Sequence, residues 1–262
     1  MFHVKPRVVA IANQKGGVGK TTTAISLGAT LAAYEQPTLV VDLDPQSNCT
    51  AGLGPKPSSD EGTSYGVLMG SVGPSAAIRA TEFPHLSLIP STPDLAGAEV
   101  ELVGMVGREF RLRDALGRLD GYRFVLVDCP PSLGLLTVNA LAAADGLIVP
   151  IQCEYFALEG VSELMRTVDE VRRFLNPDLT IDGILLTMYD ERTNLAQQVA
   201  AEVRDFFGDM VFEVVVPRNV RLAEAPSFSR PIHAYDLRSR GAQAYLHLGR
   251  EYLSRREASD GR

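Results

Sequence analysis

Lys15-Gly16-Gly17-Val18-Gly19-Lys20-Thr21-Thr22 concentrate glycine, lysine and hydroxyl side chains in one short run, a composition suited to gripping phosphate. Glycines let the backbone turn tightly enough for successive N–H groups to converge on one point. A lysine adds a full positive charge, and a threonine hydroxyl can ligate Mg²⁺. Such a loop must be held between a strand and a helix, because the helix adds the positive end of its dipole. The apolar run Val8–Ala12 precedes it and the helix-like stretch Thr23–Tyr34 follows. A flexible surface turn is the plainer account of a Gly/Lys/Thr cluster, but these flanks favour a nucleotide site. Gln14 stands where the common form of the loop has its first glycine, and a second lysine, Lys15, opens the loop instead. This is the deviant Walker A form, and its extra lysine needs a role of its own.

The rest of the nucleotide machinery is expected at the carboxyl ends of strands. Phe124-Val125-Leu126-Val127 ends in Asp128, followed by Cys129-Pro130-Pro131. An aspartate there suits the acid that holds Mg²⁺ through its water shell, although a lone strand-end aspartate also serves as a cap or turn residue. Thr38–Asp42 runs into Leu43-Asp44-Pro45-Gln46. One of Asp42 and Asp44 orients the loop and the other positions the attacking water. Asp44, further beyond the strand end, is preferred for the water, with Asp42 the alternative.

The chain of 262 residues carries a net charge of −7, with 45% hydrophobic and 22% charged residues. That is ordinary for a soluble globular protein and excludes a surface coated in basic charge. The charge is uneven: residues 218–262 hold nine arginines against five acidic residues, +4, leaving −11 for residues 1–217. A basic segment on an acidic body favours a local contact with something anionic. No apolar run reaches the ~20 residues that span a bilayer, and Met1–Pro6 lacks a signal-peptide core. Cys49, Cys129 and Cys153 form no Cys-x-x-Cys pair and read as reduced packing residues of a cytoplasmic protein.

Short β-branched runs alternate with helical stretches. Strands are expected at Val8–Ala12, Thr38–Asp42, Leu86–Pro90, Phe124–Asp128, Leu147–Ile151, Ile181–Thr187 and Val211–Val216. Several are apolar on both faces, as parallel strands covered by helices should be. Helices are clearest at 155–175, at 194–207, where Asn194 caps, Leu195, Val199, Val203, Phe206 and Phe207 face inward and Gly208 stops the helix, and at 239–253. Gly54–Gly66 reads as a surface loop. The expected fold class is α/β: a single doubly wound, mostly parallel sheet with helices on both faces, in one P-loop NTPase domain over 1–253. Residues 254–262, nearly devoid of apolar side chains, are expected to be a disordered tail.

Together, Lys15–Thr22, Asp42–Gln46, Asp128–Pro131, Thr187–Thr193 and Pro217–Ser227 resemble the ParA/Soj family of chromosome-partitioning ATPases, over about residues 7–253. The deviant loop alone also occurs in relatives such as MinD and the nitrogenase iron protein; the Pro217–Ser227 segment with Asp42–Gln46 is more specific. The resemblance implies ATP/ADP as the nucleotide, Mg²⁺ on Thr21 and, through water, Asp128, and hydrolysis of ATP to ADP and phosphate. It implies an ATP-bound sandwich homodimer in which Lys15 reaches the partner's phosphates, so that Lys15, Lys20 and Asp44 form the catalytic set. Gly16, Gly17, Val18, Gly19 and Thr22 complete the phosphate grip, and Pro217 and Asn219 border the adenine. It implies that the dimer binds double-stranded DNA without sequence preference through Arg192 and Arg221, with Arg218 and Arg230 in the same basic cluster. The resemblance further implies a ParB/Spo0J-type partner that stimulates hydrolysis, and work in the cytoplasm on the nucleoid. Two relatives supply alternatives. A ParA-like ATPase positions a protein cargo instead, and a MinD-like division-site ATPase needs a membrane-seeking C-terminal helix, which the residues after Leu253 do not provide.

Overall fold

The computed structural model describes residues 5–54, 62–154 and 157–260. Seven strands, β1 (Arg7–Ile11), β2 (Thr38–Asp42), β3 (Arg79–Ala80), β4 (Leu86–Ile89), β5 (Phe124–Asp128), β6 (Gly146–Gln152) and β7 (Thr180–Thr187), form one sheet in the order β3-β4-β2-β5-β1-β6-β7. Every pairing is parallel except the short antiparallel edge between β3 and β4.

Because successive side chains point to opposite faces, each central strand feeds two cores. Val8, Ala10, Leu39, Val41, Val125 and Val127 join the core under the helices that supply Leu136, Val161, Leu164 and Val203. Val9, Ile11, Val40, Phe124 and Leu126 join the other, against helix α1 (Lys20–Ala33) and the C-terminal helix Arg240–Asp260. Leu27 and Leu31 of α1 are fully buried, each contributing about 1.5–3 kcal/mol of apolar transfer. The Tyr245 and Thr23 hydroxyls meet at 3.0 Å in this second core and tie the C-terminal helix to α1. One mostly parallel sheet with helices on both faces is the expected α/β class.

Three expectations differ. Val211–Val216 runs beside β7 but is no strand. Phe212 and Val216 donate N–H bonds to the Ile184 and Leu186 carbonyls at 2.9 and 2.8 Å, while the intervening N–H groups of Glu213 and Val214 donate to the Glu251 carboxylate at 2.9 and 3.1 Å. A side chain of the C-terminal helix thus replaces the strand partner. That helix also continues through Asp260, so residues 254–260 are not a disordered tail. Arg255 bonds Glu251 and the Val211 carbonyl, at 2.7 and 2.8 Å, and Arg256 pairs with buried Asp182 at 3.3 Å. Polar contacts hold this turn where composition offered no apolar face. In helix Asn194–Phe207 the cap is Thr193, whose hydroxyl accepts the Ala196 N–H, and Leu195 and Phe206 face solvent. The helix expected over 155–175 is Ala157–Phe174, and most of the loop expected at Gly54–Gly66, residues 55–61, lies outside the described residues, as do 155–156 and the tail end 261–262.

Candidate functional site

The glycine loop leaves β1 through Asn13, a buried residue that pins it to β6. Its Nδ2 donates to the Pro150 carbonyl at 2.7 Å, and its Oδ1 accepts the Lys15 N–H at 3.0 Å. Thr187, at the end of β7, donates its hydroxyl to the Val18 carbonyl at 2.8 Å, and Lys20 Nζ donates across the loop to the Lys15 carbonyl at 3.0 Å. Gly17 and Gly19 sit at φ 75° and 91°, the left-handed region that glycine enters without steric cost. Gly19 is the N-cap of α1 and, among the described residues, no side chain caps that end, so the first-turn N–H groups of Lys20, Thr21 and Thr22 face the loop as donors for an anion. Burial lowers the Lys20 pKa, opposed by the charges of Asp128, Cys129 and Asp44.

Asp42 and Asp128 are register partners at the carboxyl ends of β2 and β5, so their side chains share the face that carries α1. The Asp42 carboxylate is well satisfied: Oδ2 accepts the Thr50 N–H and hydroxyl at 2.7 and 2.6 Å, and Oδ1 accepts the Asp44 N–H at 3.2 Å. Burial, with Asp44 nearby, pushes Asp42 up to about 6. Asp128 differs: both carboxylate oxygens are buried and neither has a well-formed hydrogen bond. Burial first, then the Asp42 charge, raises it well above the carboxylate range, with Thr21 and Lys20 opposing. An orphaned buried carboxylate beside a threonine hydroxyl and a lysine fits a hydrated cation as its missing partner. Among the described residues no group of three or more His, Cys, Asp or Glu could hold a metal unaided. Thr21 and Asp128 are a donor set that suits Mg²⁺, which is bound by one or two protein ligands plus phosphate oxygens and water. Asp44 is also buried, and its Oδ1 accepts the Gln46 N–H at 2.9 Å.

Beside the loop opens a cavity of about 340 Å³ lined by Gly19, Thr22, Met188, Pro217, Asn219 and Tyr245, among others. Pro217 and Asn219 therefore lie next to the first turn of α1, although some 200 residues of chain separate them. Asn219 itself caps the short helix Val220–Glu224 through the Arg221 N–H. The arginines of the basic cluster carry local carboxylates. Arg192 grips Asp190 through two bonds of 2.8 and 2.7 Å, and Arg221 pairs with Glu224 and Asp236 at 2.9 and 3.5 Å. Arg218 lies 3.5 Å from Glu154, and Arg230 is exposed. Cys49, Cys129 and Cys153 are free and buried, and burial raises all three thiols, as expected of packing residues.

Sequence reasoning missed Asn13, Thr50, Ser91 and Glu154. Asn13 had a usable signal, a polar residue wedged between strand and loop. The other three act across the fold and had none.

Fold and site together define a P-loop NTPase of the deviant Walker A type. A family model described as an AAA domain matches residues 6–181. The chromosome partitioning protein ParA of Myxococcus xanthus is 57% identical over 250 residues, 95% of this chain and 88% of that protein. The sporulation initiation inhibitor protein Soj of Bacillus subtilis is 52% identical over 246 residues, 94% of this chain and 97% of that protein. A crystal structure of cobyrinic acid a,c-diamide synthase from Mycobacterium smegmatis, with bound ADP and magnesium, superimposes with a TM-score of 0.84 at 42% identity, covering 98% of this chain and 97% of that one. The chain belongs to the ParA/Soj family of chromosome-partitioning ATPases.

Proposed function

We propose that this chain binds ATP with Mg²⁺, dimerises on it, holds double-stranded DNA without sequence preference, and hydrolyses the ATP when a ParB/Spo0J-type partner engages. It does so in the cytoplasm, on the nucleoid. The observation that carries the nucleotide part is the uncapped glycine loop lying beside an orphaned, buried Asp128. Family membership supports the partitioning role.

In this proposal the loop N–H groups and Lys20 hold the phosphates, Thr21 and Asp128 hold the hydrated cation, and the cavity at Pro217 and Asn219 takes the adenine. Bound magnesium supplies charge neutralisation on the phosphate oxygens. Asp42 serves the protein itself, both of its oxygens being engaged by Thr50 and Asp44. Asp44 keeps an oxygen for the attacking water. Lys15, opening the loop, supplies the last positive charge to the partner's phosphates, so a monomer hydrolyses poorly and assembly gates the chemistry. Pairing two copies doubles the arginines on one face, which lets an acidic protein bind DNA.

Calorimetry should give Mg²⁺-dependent ATP binding, light scattering an ATP-dependent dimer, and a duplex-DNA shift assay retention only of that dimer. ATP binding without a change in mass, or DNA binding indifferent to nucleotide, would overturn the assembly cycle.

A further inference from the structure

Ser91 stands just beyond β4, 47 residues from Asp44, yet its hydroxyl donates to the Asp44 carbonyl at 2.8 Å. Its N–H donates to Thr50 Oγ1 at 2.9 Å, and Thr50 in turn donates twice to Asp42 Oδ2. Ser91 and Thr50 are 1% and 0% exposed. The Asp44 backbone is therefore held from both sides, its N–H by Asp42 Oδ1 and its carbonyl by the Ser91 hydroxyl and, within the turn itself, by the Ser47 N–H at 2.9 Å. Pro45 follows directly, and its ring narrows the backbone further. We infer that Ser91, with Thr50 behind it, is a positioning residue for hydrolysis, fixing the direction in which the Asp44 carboxylate points. This rests on the proposed role of Asp44 in placing the attacking water.

The register shows why the hydroxyl is needed here. Pairing of β2 with β4 stops at Val41 and Ile89. Past that point Leu43 still donates to the Asp128 carbonyl at 3.0 Å on the β5 side, so one flank of the turn is tied by backbone. On the β4 side the tie to Asp44 is the Ser91 side chain. Both ends of the clamp are buried, so its loss leaves a buried acceptor short of a partner; the Asp44 carbonyl is then tied by the Ser47 N–H, a bond within the turn that moves with it. Attack on phosphorus depends on near-ångström placement of the water. A small swing therefore costs turnover without touching the loop that binds the nucleotide.

The test uses the full chain with Mg-ATP and linear duplex DNA. Ser91→Ala should lower kcat by about ten- to a hundredfold, while KM and the affinity for a fluorescent ATP analogue stay within about twofold. Ser91→Thr keeps the hydroxyl and should recover most of kcat; Ser91→Cys, close in volume but a weak donor, should behave as alanine does. An unchanged kcat in both Ser91→Ala and Ser91→Cys overturns the inference. So does a parallel loss of kcat, nucleotide affinity and melting temperature, which marks a packing role. Asp44→Ala separates this from the underlying proposal. If it turns over at the wild-type rate, Asp44 does not place the water; if it is inactive while Ser91→Ala is normal, only the role of Ser91 fails.

Discussion

Lys15 and Glu154 form an ion pair, Nζ to Oε2 at 3.6 Å, and the same carboxylate lies 3.5 Å from Arg218. One glutamate after β6 thus occupies the lysine proposed to act across a dimer and an arginine of the basic cluster. Both partners of the Lys15 pair are more than a third exposed, so the pair is weak and easily surrendered to phosphate. Glu154→Gln should tighten ATP-dependent dimerisation by no more than about fivefold, the range of an exposed ion pair. Lys15→Gln should abolish the dimer while leaving nucleotide binding intact. Sedimentation velocity with and without ATP checks both, and a normal dimer in Lys15→Gln removes the lysine from the interface.

Lys20→Ala should weaken ATP and ADP binding by about ten- to a hundredfold, the worth of one charge-assisted hydrogen bond. The loop itself should survive, because Asn13 and Thr187 still pin it. Calorimetry showing wild-type affinity would mean that phosphate binds elsewhere.

Gly16→Val separates intramolecular from intermolecular crowding. Among the described residues a Cβ at Gly16 meets only the Pro131 Cβ, at 4.0 Å, which leaves room for it there. The variant should fold and bind nucleotide yet remain monomeric under ATP in light scattering. An ATP-dependent dimer would place the interface away from Gly16.

Asp128→Asn should stabilise the nucleotide-free protein at neutral pH while weakening Mg²⁺-dependent nucleotide binding. The Asp128 pKa is raised in the folded state, Asp42 to about 6, whereas both ionise near 4 when unfolded. The folded state therefore holds these protons more tightly. Its stability from them is full below about pH 4 and lost as pH rises through the folded values. Removing the charge at Asp128 should raise the melting temperature by about 2–4 °C per kcal/mol recovered at about pH 7.5, and leave it unchanged near pH 4. Scanning calorimetry at the two pH values reads this directly. An equal gain at both would assign it to packing.

In the proposal DNA phosphate competes for Arg192 with Asp190 and for Arg221 with Glu224 and Asp236. Arg192→Ala with Arg221→Ala should weaken the ATP dimer's DNA affinity for all sequences alike. The log–log salt dependence should flatten by about 0.9 for each phosphate no longer neutralised. Asp190→Asn, which frees Arg192, should do the reverse. Salt titrations of a duplex shift assay distinguish these outcomes from unchanged affinity, which would move the DNA surface elsewhere.

The phosphate loop and the strand-end aspartates were readable in the sequence because their geometry is local. A tight turn needs glycine within that very stretch, and an aspartate closing an apolar run must emerge at a sheet edge. The same locality made β2 and β5 readable to the residue, Thr38–Asp42 and Phe124–Asp128. Val211–Val216 has an equally strand-like composition, but the N–H groups of Glu213 and Val214 were claimed by Glu251, a residue far along the chain.

By itself, then, the sequence determined the nucleotide loop, the two-faced parallel sheet and the family, all carried by contiguous residues with short-range conformational demands. Tertiary structure alone decided which of two neighbouring aspartates is consumed in hydrogen bonds, which carboxylate parks Lys15, and that residues 254–260 continue the last helix. Each of these depends on groups brought together by strand order. Ser91 meets Asp44 only because β4 lies beside β2, and Arg256 meets Asp182 only because the last helix brings it, with Tyr252, to the start of β7. A hydrogen bond has a reach of about 3 Å, so the packing of distant segments, and no local pattern, selects its partner.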